Sequence, residues 1–500
     1  MIVEHTAIRR DTADEADYVI VGTGAAGSVA AAVLAEAGAS VIMIEEGPHV
    51  TPAQLGRGTI AAFSALFREF GAQVTRGPVQ IPCLQASVLG GSTVINSGIM
   101  WRTPEWVLDS WEHDYGLAGH LDRAELAECW TRIEADLSIR PTAENRLGGN
   151  GRVLKRGADK LGWASRPTHR SERDCEGSGR CLEGCTRGRR QSMNHSYLPR
   201  ARAAGARIYT GCFVETIAHG GGVASAARGR FRPAQPGAPS FRLSAHARKA
   251  VIVGASAIHT PALLQRSGLD TTGHVGRHFQ GHPGVALAGL FEEPVRIWEG
   301  ATQSYEVTEF RRRGIKIESL SLPPEMLAVR LPGVGDALME LLGQLDRVAL
   351  AAVPVKAQAR GTVRAGPLGV AIRYTPERAD VALALEGLAR VAEIYLAAGA
   401  RFVLPGVHGL PERFTSPDQL GVLRDAQVGP EAFSWVMTHL MGTARMGTDP
   451  RTSACDPWGR VHHTRNVYVT DSSLFPTNLG VNPQHTIMGL SMRIARHLAA

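Results

Sequence analysis

The chain has 500 residues, which is too many for one hydrophobic core and predicts two to four domains. Its hydrophobic content of 44% and charged content of 20% are ordinary for a globular protein. Basic side chains outnumber acidic ones, 54 to 47, which gives a net charge of +7. The basic runs at 187–190 and 311–313 are short and carry no interleaved aromatic residues, so the composition argues against nucleic-acid binding.

The sequence also argues against a membrane or secreted location. No stretch reaches the roughly 18 uninterrupted apolar residues of a membrane span. The first residues, MIVEHTAIRRDTADEADYVIV, lack an apolar segment before a cleavage site, so no secretory signal is expected. Seven cysteines, an odd number, suit a reducing compartment in which thiols stay free or bind metal. We therefore expect a cytoplasmic protein without a membrane span.

A strand–helix–strand unit is predicted in DYVIVGTGAAGSVAAAVLAEAGASVIMIEEG, at residues 17–47. The β-branched and aromatic run at 18–21 is typical of a buried parallel strand, and 40–44 of a second one. Between them, small and apolar residues recur with helical spacing. This arrangement is the context that a dinucleotide-binding motif requires.

The turn before the helix contains the glycine spacing of a dinucleotide fingerprint. Gly22 permits a tight turn, Gly24 lets the backbone approach a pyrophosphate, and Gly27 lets helix and strand pack closely. The free N–H groups at the helix start would face the phosphates, and an acid ending the second strand would bind the ribose. The residues expected to bind the dinucleotide here are Gly22, Gly24, Ala25, Ala26, Gly27 and Glu45. The fingerprint alone does not separate NAD from FAD, although its amino-terminal position favours FAD.

A second glycine-rich segment, VLGGSTVINSGIMWRTP, occupies residues 88–104. The adjacent Gly90 and Gly91 expose backbone N–H groups, and short polar side chains such as Ser92 and Asn96 add donors. Such a segment can line the edge of a flat polar ring. Taken alone, it is equally compatible with a surface turn.

Three cysteines, Cys175, Cys181 and Cys185, stand close together in DCEGSGRCLEGCTRGRR. Their glycine-rich and charged surroundings predict a loop. Three thiolates beside basic residues can hold an iron–sulfur cluster, whereas a fourth ligand for zinc is not visible nearby. Free thiols are the favoured interpretation, and an iron–sulfur cluster, a disulfide or another metal remain alternatives.

The sequence resembles the glucose–methanol–choline (GMC) oxidoreductase family. The amino-terminal fingerprint is followed by the family's GGS-x-x-x-N signature at 90–96. VIVGASAIHTPALLQRSGL at 251–269 and VGRHFQGHPG at 275–284 are similar to further family segments, as is the carboxy-terminal HLMGTARMG…GVNPQHT block. Residues 285–430 match only loosely, in the part where family members build different substrate pockets.

The resemblance implies FAD as the cofactor. Asn96 and Gly98 would lie near the flavin ring, the backbone of Val214 would pair with adenine, and Asp471 would lie near the phosphates and ribityl chain. Members with covalent FAD carry a histidine in or beside the GGS signature, and 88–100 contains none, so non-covalent FAD is expected. Beyond the fingerprint, the expected cofactor-binding residues are Gly90, Gly91, Ser92, Asn96, Gly98, Val214, Asp471, Ser472, Asn482 and Pro483.

The same resemblance leaves the three cysteines open. Some multi-subunit GMC dehydrogenases with similar cysteine spacing carry a three-iron cluster. Cysteines in this region also occur in cluster-free relatives such as long-chain alcohol oxidases.

The resemblance implies two catalytic residues, His439 and Asn482. Oxidation of an alcohol needs a base, for which an imidazole titrating near neutral pH is suited, and a donor that stabilises the developing alkoxide. His439 matches the family's base and Asn482 the second position, for which His485 is the alternative. Because Pro483 suits the first position of a helix, Asn482 is also predicted to be its N-cap.

These signals predict an α/β fold with a Rossmann-like FAD-binding domain and a sheet-and-helix, α+β substrate-binding domain. The predicted FAD-binding segments are 15–120, 195–285 and 430–500, and the substrate-binding segments are 121–194 and 286–429. Within the latter, 363–381 is predicted to form a strand–turn–strand unit and 382–400 an amphipathic helix.

The leading functional hypothesis is FAD-dependent oxidation of an alcohol to a carbonyl. The expected partners are a small alcohol, either sugar- or glycoside-like or long-chain, and an electron acceptor such as oxygen or a quinone. One alternative is a flavoprotein that has lost catalysis and serves as a binding or assembly subunit, against which the intact His439 and Asn482 argue. Another is an NAD-dependent dehydrogenase, which would be colourless where a flavoprotein is yellow.

Overall fold

A computed structural model describes residues 1–367 and 369–500. The strands are, in chain order, β1 (Ile2–Glu4), β2 (Thr12–Val21), β3 (Val41–Ile44), β4 (Ile139–Pro141), β5 (Ser165–Pro167), β6 (His169–Ser171), β7 (Arg207–Thr210), β8 (Cys212–Gly220), β9 (Val223–Phe231), β10 (Arg242–Val253), β11 (Gln280–Leu290), β12 (Tyr305–Val307), β13 (Ile317–Ser319), β14 (Val348–Pro354), β15 (Thr362–Gly366), β16 (Gly369–Arg373), β17 (Phe402–Leu404), β18 (Val436–Met441) and β19 (Val467–Val469).

Helices lie between these strands and at the end of the chain. They are, in chain order, α1 (Ala25–Glu36), α2 (Thr59–Leu66), α3 (Glu105–Asp114), α4 (Arg123–Asp136), α5 (Gly148–Leu161), α6 (Tyr197–Ala203), α7 (Ser256–Arg266), α8 (Pro324–Ala328), α9 (Gly335–Leu342), α10 (Arg378–Ala397), α11 (Gly421–Arg424) and α12 (Gln484–Ala499). Within the described ranges, no helix is both long and apolar enough to cross a lipid bilayer.

The first large sheet has the strand order β1-β7-β3-β2-β10-β9-β8, with β19 beside β10. Its β1, β7, β3, β2, β10 and β19 run parallel, whereas β8 and β9 are antiparallel neighbours. In parallel sheets, ligands bind beyond the carboxyl ends of the strands. The turn after β2 and the loop after β10 both leave the sheet at that edge.

The second large sheet is antiparallel, in the order β17-β11-β14-β13-β12-β5, with β18 paired to β11. The helices α5 and α10 pack against it. Together the two sheets and their helices confirm the predicted mixed α/β fold, while the predicted domain boundaries stay a prediction.

The glycine turn allows β2 and α1 to pack closely, as predicted. Gly22 has a φ of +96°, a conformation that disfavours side chains. A Cβ at Gly27 would lie 2.1 Å from the carbonyl oxygen of Gly22, so this position has no room for one. The alanine-rich α1 is buried along most of its length, with α12 and α6 against it.

The strand predicted at 18–21 is the last part of β2, and the two elements predicted within 363–400 also have different bounds in the structure. The helix predicted at 382–400 is α10, which begins at Arg378 because Asp380 accepts a hydrogen bond from the Glu377 N–H at its first turn. The strand–turn–strand unit predicted at 363–381 is the shorter hairpin β15–β16. Residue 368, between these strands, lies outside the described part of the chain.

Several histidines have lowered pKa values, among them His282, His439 and His485. Burial is the main cause at His282, whose pKa lies well below its usual range, at His439, whose pKa is about 3, and at His485, whose pKa is about 4. All three are therefore neutral in the native protein at neutral pH, whereas in an unfolded chain they would titrate near pH 6.5.

We expect the protein to lose stability on mild acidification. Between about pH 6.5 and about pH 4, the unfolded chain binds protons that the native chain does not, so the free energy of unfolding falls by about 1.4 kcal/mol per pH unit for each such histidine. Urea denaturation at several pH values measures this slope. His485→Gln should lower the slope by about one histidine's share, whereas His113→Gln, at an exposed position on α3, should leave it unchanged. An identical slope in His485→Gln would contradict the prediction.

Candidate active site

One cavity of about 510 Å³ is lined by residues from both large sheets. Most of the predicted site residues line it, namely Gly22, Gly24, Ala25, Ala26, Glu45, Gly91, Ser92, Asn96, Gly98, Val214, His439, Asp471, Ser472, Asn482 and Pro483. Gly27 and Gly90 do not line the cavity and instead allow close packing beside it.

The glycine turn leaves space for a phosphate group at the start of α1. A Cβ at Gly24, the N-cap residue, would meet no atom within 4 Å. No side chain caps this helix end, so its first N–H groups remain available. A pyrophosphate can therefore approach the backbone here, as the fingerprint predicts.

Glu45 holds this turn together. Its Oε2 accepts hydrogen bonds from the Thr23 N–H at 3.0 Å and the Thr23 hydroxyl at 2.6 Å, and its Oε1 accepts from the Gly47 N–H at 2.9 Å. The Gly90 N–H in turn donates to the Thr23 hydroxyl oxygen at 2.9 Å. Burial raises the pKa of Glu45. The carboxylate thus links the two glycine segments, and ribose binding by Glu45 stays a prediction.

The second glycine segment lies directly against the first. A Cβ at Gly91 would be 2.8 Å from the Cα of Gly24. Further along, the Asn96 side-chain amide donates to Gln484 Oε1 at 2.6 Å, and its Oδ1 accepts from the Gly98 N–H at 3.0 Å. These bonds hold the Asn96 side chain at the cavity wall, beside Gln484 at the start of α12.

Asp471 anchors the start of α7 to the end of β19. Its Oδ2 accepts hydrogen bonds from the Ser256 N–H at 2.9 Å and from the Thr260 hydroxyl, and its Oδ1 accepts from the Ser473 N–H at 2.8 Å. Burial raises the pKa of this carboxyl group. Val214, on β8, contributes to the wall of the same cavity.

His439 and Asn482 lie in contact, although 43 positions separate them in the chain. Nε2 of His439, on β18, is 3.2 Å from Nδ2 of Asn482, just before α12. Oδ1 of Asn482 accepts a hydrogen bond from the Lys316 ammonium group, which also pairs with Glu318. Lys316 and Glu318 are 3% and 1% exposed.

The predicted N-cap role of Asn482 is wrong. The helix α12 begins at Gln484, Pro483 occupies the N-cap position, and no side chain caps this end. Since Oδ1 of Asn482 already accepts from Lys316, it is not available to the helix N–H groups. The amide therefore faces the cavity rather than the helix.

His282 and Asn482 make opposite demands on the ring proton of His439. The Nε2 of His282 accepts a hydrogen bond from the Gly480 N–H at 2.9 Å, and its Nδ1, which then carries the proton, lies 3.1 Å from Nδ1 of His439. This contact favours a lone pair on Nδ1 of His439. With its Oδ1 held by Lys316, the Asn482 amide can only donate, so its 3.2 Å contact favours a lone pair on Nε2. A neutral imidazole has one such lone pair, so the two contacts cannot both be hydrogen bonds.

The electrostatics of His439 differ from the expectation of an imidazole that titrates near neutral pH. Burial and, second, the Lys316 ammonium group lower the pKa of His439 to about 3. The lysine was not predicted as a site residue, because no motif marks it. The available signal was the alternation of Lys316 and Glu318 with isoleucines in GIKIES, which places two charges on one face of a strand.

The alternative second residue, His485, lies away from the cavity. It is 1% exposed, its Nε2 is 3.4 Å from the Trp130 carbonyl oxygen, and its ring lies beside the Trp130 ring. This environment suits a packing residue on α12.

The three loop cysteines lie together at a second, smaller pocket. All three are free thiols, and Cys181 is buried. Among the residues that the structure describes, no group of three or more His, Cys, Asp or Glu side chains is arranged to hold a metal ion.

Comparisons with known proteins agree with this geometry. Two family models described as GMC oxidoreductase match residues 16–284 and 357–491. An uncharacterised GMC-type oxidoreductase of Mycobacterium tuberculosis is 34% identical over 488 residues, covering 97% of this chain and 76% of that protein. A long-chain-alcohol oxidase of Arabidopsis thaliana is 26% identical over 516 residues, covering 97% and 67% of the two chains.

The fold also matches a solved structure. The crystal structure of pyridoxine 4-oxidase from Mesorbium loti has a TM-score of 0.73 at 19% identity, and the match covers 96% of this chain and 98% of that one. This likeness shows the fold. The family models cover well over half of the chain, including the glycine turn, His439 and Asn482. The chain therefore belongs to the GMC oxidoreductase family and is an FAD-dependent flavoprotein oxidoreductase.

Proposed function

We propose that the protein oxidises an alcohol to a carbonyl compound, with FAD bound non-covalently in the large cavity. The observation that carries this proposal is the contact between His439 and Asn482 in the same cavity as the open glycine turn. FAD supplies the hydride acceptor when it is bound. Non-covalent binding is supported by the lack of histidine in 88–100.

The cavity suits FAD at its nucleotide end. Open space at Gly24 and uncapped N–H groups at the start of α1 accommodate a pyrophosphate. The Asn96 side chain, held by Gln484, and the backbone at Gly98 provide polar groups for the edge of a flavin ring.

Asn482 and His439 would bind the alcohol oxygen. The Asn482 N–H group and Nε2 of His439 lie side by side at the cavity wall, so one hydroxyl group can accept from the amide and donate to the imidazole. The Lys316 ammonium group behind Asn482 polarises this amide, because it donates to Oδ1. Donors fixed in a water-poor site stabilise the negative charge that develops as a hydroxyl proton leaves.

His439 would take the hydroxyl proton at Nε2. For this step, the proton of neutral His439 must be on Nδ1, facing His282. His282 can accept it there only by moving its own proton to Nε2 and releasing the hydrogen bond from Gly480. We therefore propose His282 as the residue that positions the proton on His439.

A long-chain alcohol is the proposed substrate class. Apolar side chains also line the cavity, namely Leu182, Val285, Leu320, Leu322 and Met326. Sugar-like alcohols would leave hydroxyl groups unpaired against such a wall. The name of the Arabidopsis relative, a long-chain-alcohol oxidase, supports the same class.

We expect Gly24→Ala to weaken FAD binding without unfolding the protein. The added methyl group meets no protein atom within 4 Å, but it occupies the space through which the pyrophosphate approaches. Flavin content after gel filtration and the melting temperature of the FAD-free protein check this. Gly27→Ala is the contrasting variant, because its methyl group would clash with the Gly22 carbonyl and lower the melting temperature. Full flavin content in Gly24→Ala would contradict the prediction.

We expect His439→Ala to slow anaerobic flavin reduction by about 10³-fold, and Asn482→Ala by about 10²-fold. The larger loss at position 439 follows from removal of the base rather than a donor. Stopped-flow bleaching by 1-dodecanol, with methyl glucoside as the sugar-like comparison, measures both rates. His485→Gln, a buried histidine outside the cavity, should retain the unmutated rate. Near-normal bleaching in His439→Ala would exclude it as the base, and no bleaching of the unmutated protein by any alcohol would favour a non-catalytic flavoprotein.

Lys316→Met should slow flavin reduction about tenfold and move the acid limb of its pH profile upwards, because the ammonium group lowers the pKa of His439. The single variant leaves Glu318 buried without its cation, which destabilises the fold. Lys316→Met/Glu318→Leu removes both charges and should recover the melting temperature but not the rate. A double variant with the unmutated rate and pH profile would show that the lysine acts only on stability.

A further inference from the structure

One histidine of the large cavity, His259, has no role in the proposed oxidation. It lies in the first turns of α7 and lines the cavity. Residues four and seven positions further along a helix lie on the same face, and at these positions Leu263 and Arg266 line the cavity as well. This face of α7 is therefore part of the cavity wall, and His259 belongs to it.

Both ring nitrogens of His259 are buried without a hydrogen-bond partner among residues 1–367 and 369–500. No other side chain in that part of the chain has two such atoms. Among the described residues that line the cavity, Arg68 is the one other with such an atom, its Nε. Nearly all buried polar groups in native proteins have a partner, because leaving one unpaired costs free energy. The two residues therefore mark a place where the cavity suits a polar ligand.

This place is at the nucleotide end of the cavity. The Arg68 guanidinium pairs with the Glu46 carboxylate through hydrogen bonds of 3.0 Å and 2.6 Å. Glu46 also lines the cavity, two positions after the end of β3. In dinucleotide-binding folds, the end of this strand faces the ribose of the nucleotide. Arg68 therefore lies on the side of the cavity that receives the adenosine half of FAD.

The far end of the α7 face points to the same half of the cofactor. Arg266 Nε donates to the carbonyl oxygen of Glu215 at 3.0 Å. The neighbouring residue, Val214, is the one whose backbone is expected to pair with adenine. The helix face that carries His259 thus ends beside the residue expected at the base.

The ring of His259 is neutral at neutral pH. Burial and, second, the Arg68 guanidinium lower its pKa to about 3, while the Glu46 carboxylate opposes this in part. A neutral imidazole has one N–H donor and one acceptor nitrogen. Adenosine offers groups that match both, because adenine has acceptor ring nitrogens and a donor amino group, and the ribose has hydroxyl groups.

We propose that His259 binds the adenosine half of FAD, donating one hydrogen bond and accepting another through its two ring nitrogens. Without FAD, the fold has the cost of two buried and unpaired nitrogens, and cofactor binding removes this cost. The proposal concerns cofactor binding alone and does not depend on which substrate is oxidised.

His259→Leu tests the proposal through two measurements that a structural role would move differently. The Kd of FAD, measured by titrating the FAD-free protein and following flavin fluorescence, should rise about tenfold, because leucine makes no hydrogen bond. The melting temperature of the FAD-free protein should stay the same or rise, because the substitution removes two unpaired buried nitrogens. ADP has the adenosine half without the flavin, so its affinity should fall by a similar factor.

Two further variants serve as controls. His259→Gln keeps a donor and an acceptor and should hold the Kd of FAD within about threefold of the unmutated value. His219→Leu changes an exposed histidine on β8 whose Nε2 lies 2.7 Å from the Ser267 carbonyl oxygen, outside the cavity, and should leave the Kd unchanged.

Three results would overturn the proposal. One is an unchanged Kd of FAD in His259→Leu, and another is weaker binding of FAD with unchanged binding of ADP. A lower melting temperature of the FAD-free His259→Leu protein would show a structural role instead. A crystal structure of the FAD-bound protein decides independently, because the proposal requires a ring nitrogen of His259 within about 3.5 Å of an adenosine nitrogen or oxygen.

Discussion

The site depends on the hydrogen bond from the Lys316 ammonium group to Oδ1 of Asn482. Because Lys316 can only donate, it fixes the amide with its NH₂ group towards His439. The lysine precedes β13 in one large sheet, and the asparagine follows β19 of the other, so the same bond joins the two halves of the cavity. Its buried partner Glu318 balances the charge. The orientation of the Asn482 amide thus follows from a single buried cation.

At the other end of the cavity, two glycine-rich backbone segments lie unusually close together. Gly22, Gly24 and Gly27 lie where side chains would clash or fill the cavity, and Gly91 rests on Gly24. The Glu45 carboxylate holds these segments through Thr23. The loop cysteines connect to the same region, since Arg190 contacts both Cys181 and the backbone beside Asn96. The Arg190 guanidinium therefore connects the cysteine loop to the segment that lines the large cavity.

Local patterns in the sequence are enough to predict the strand–helix–strand unit and the glycine turn, because both depend on spacing within short segments. The joint role of His439 and Asn482 is predicted by the family resemblance alone. The bond from Lys316 and the contact of His282 with His439 join residues 157 or more positions apart, and no local period marks them. The N-cap prediction for Asn482 failed for the same reason, because a distant lysine competes for its side chain.

FAD and an alcohol are proposed to meet at the His439–Asn482 pair. A crystal structure of the protein with FAD and a long-chain alcohol analogue would show whether they do. We expect the isoalloxazine ring beside Asn96 and Gly98, with the analogue's oxygen within hydrogen-bonding distance of both His439 Nε2 and Asn482 Nδ2. A flavin ring remote from this pair, or an analogue oxygen bound elsewhere, would refute the proposed function.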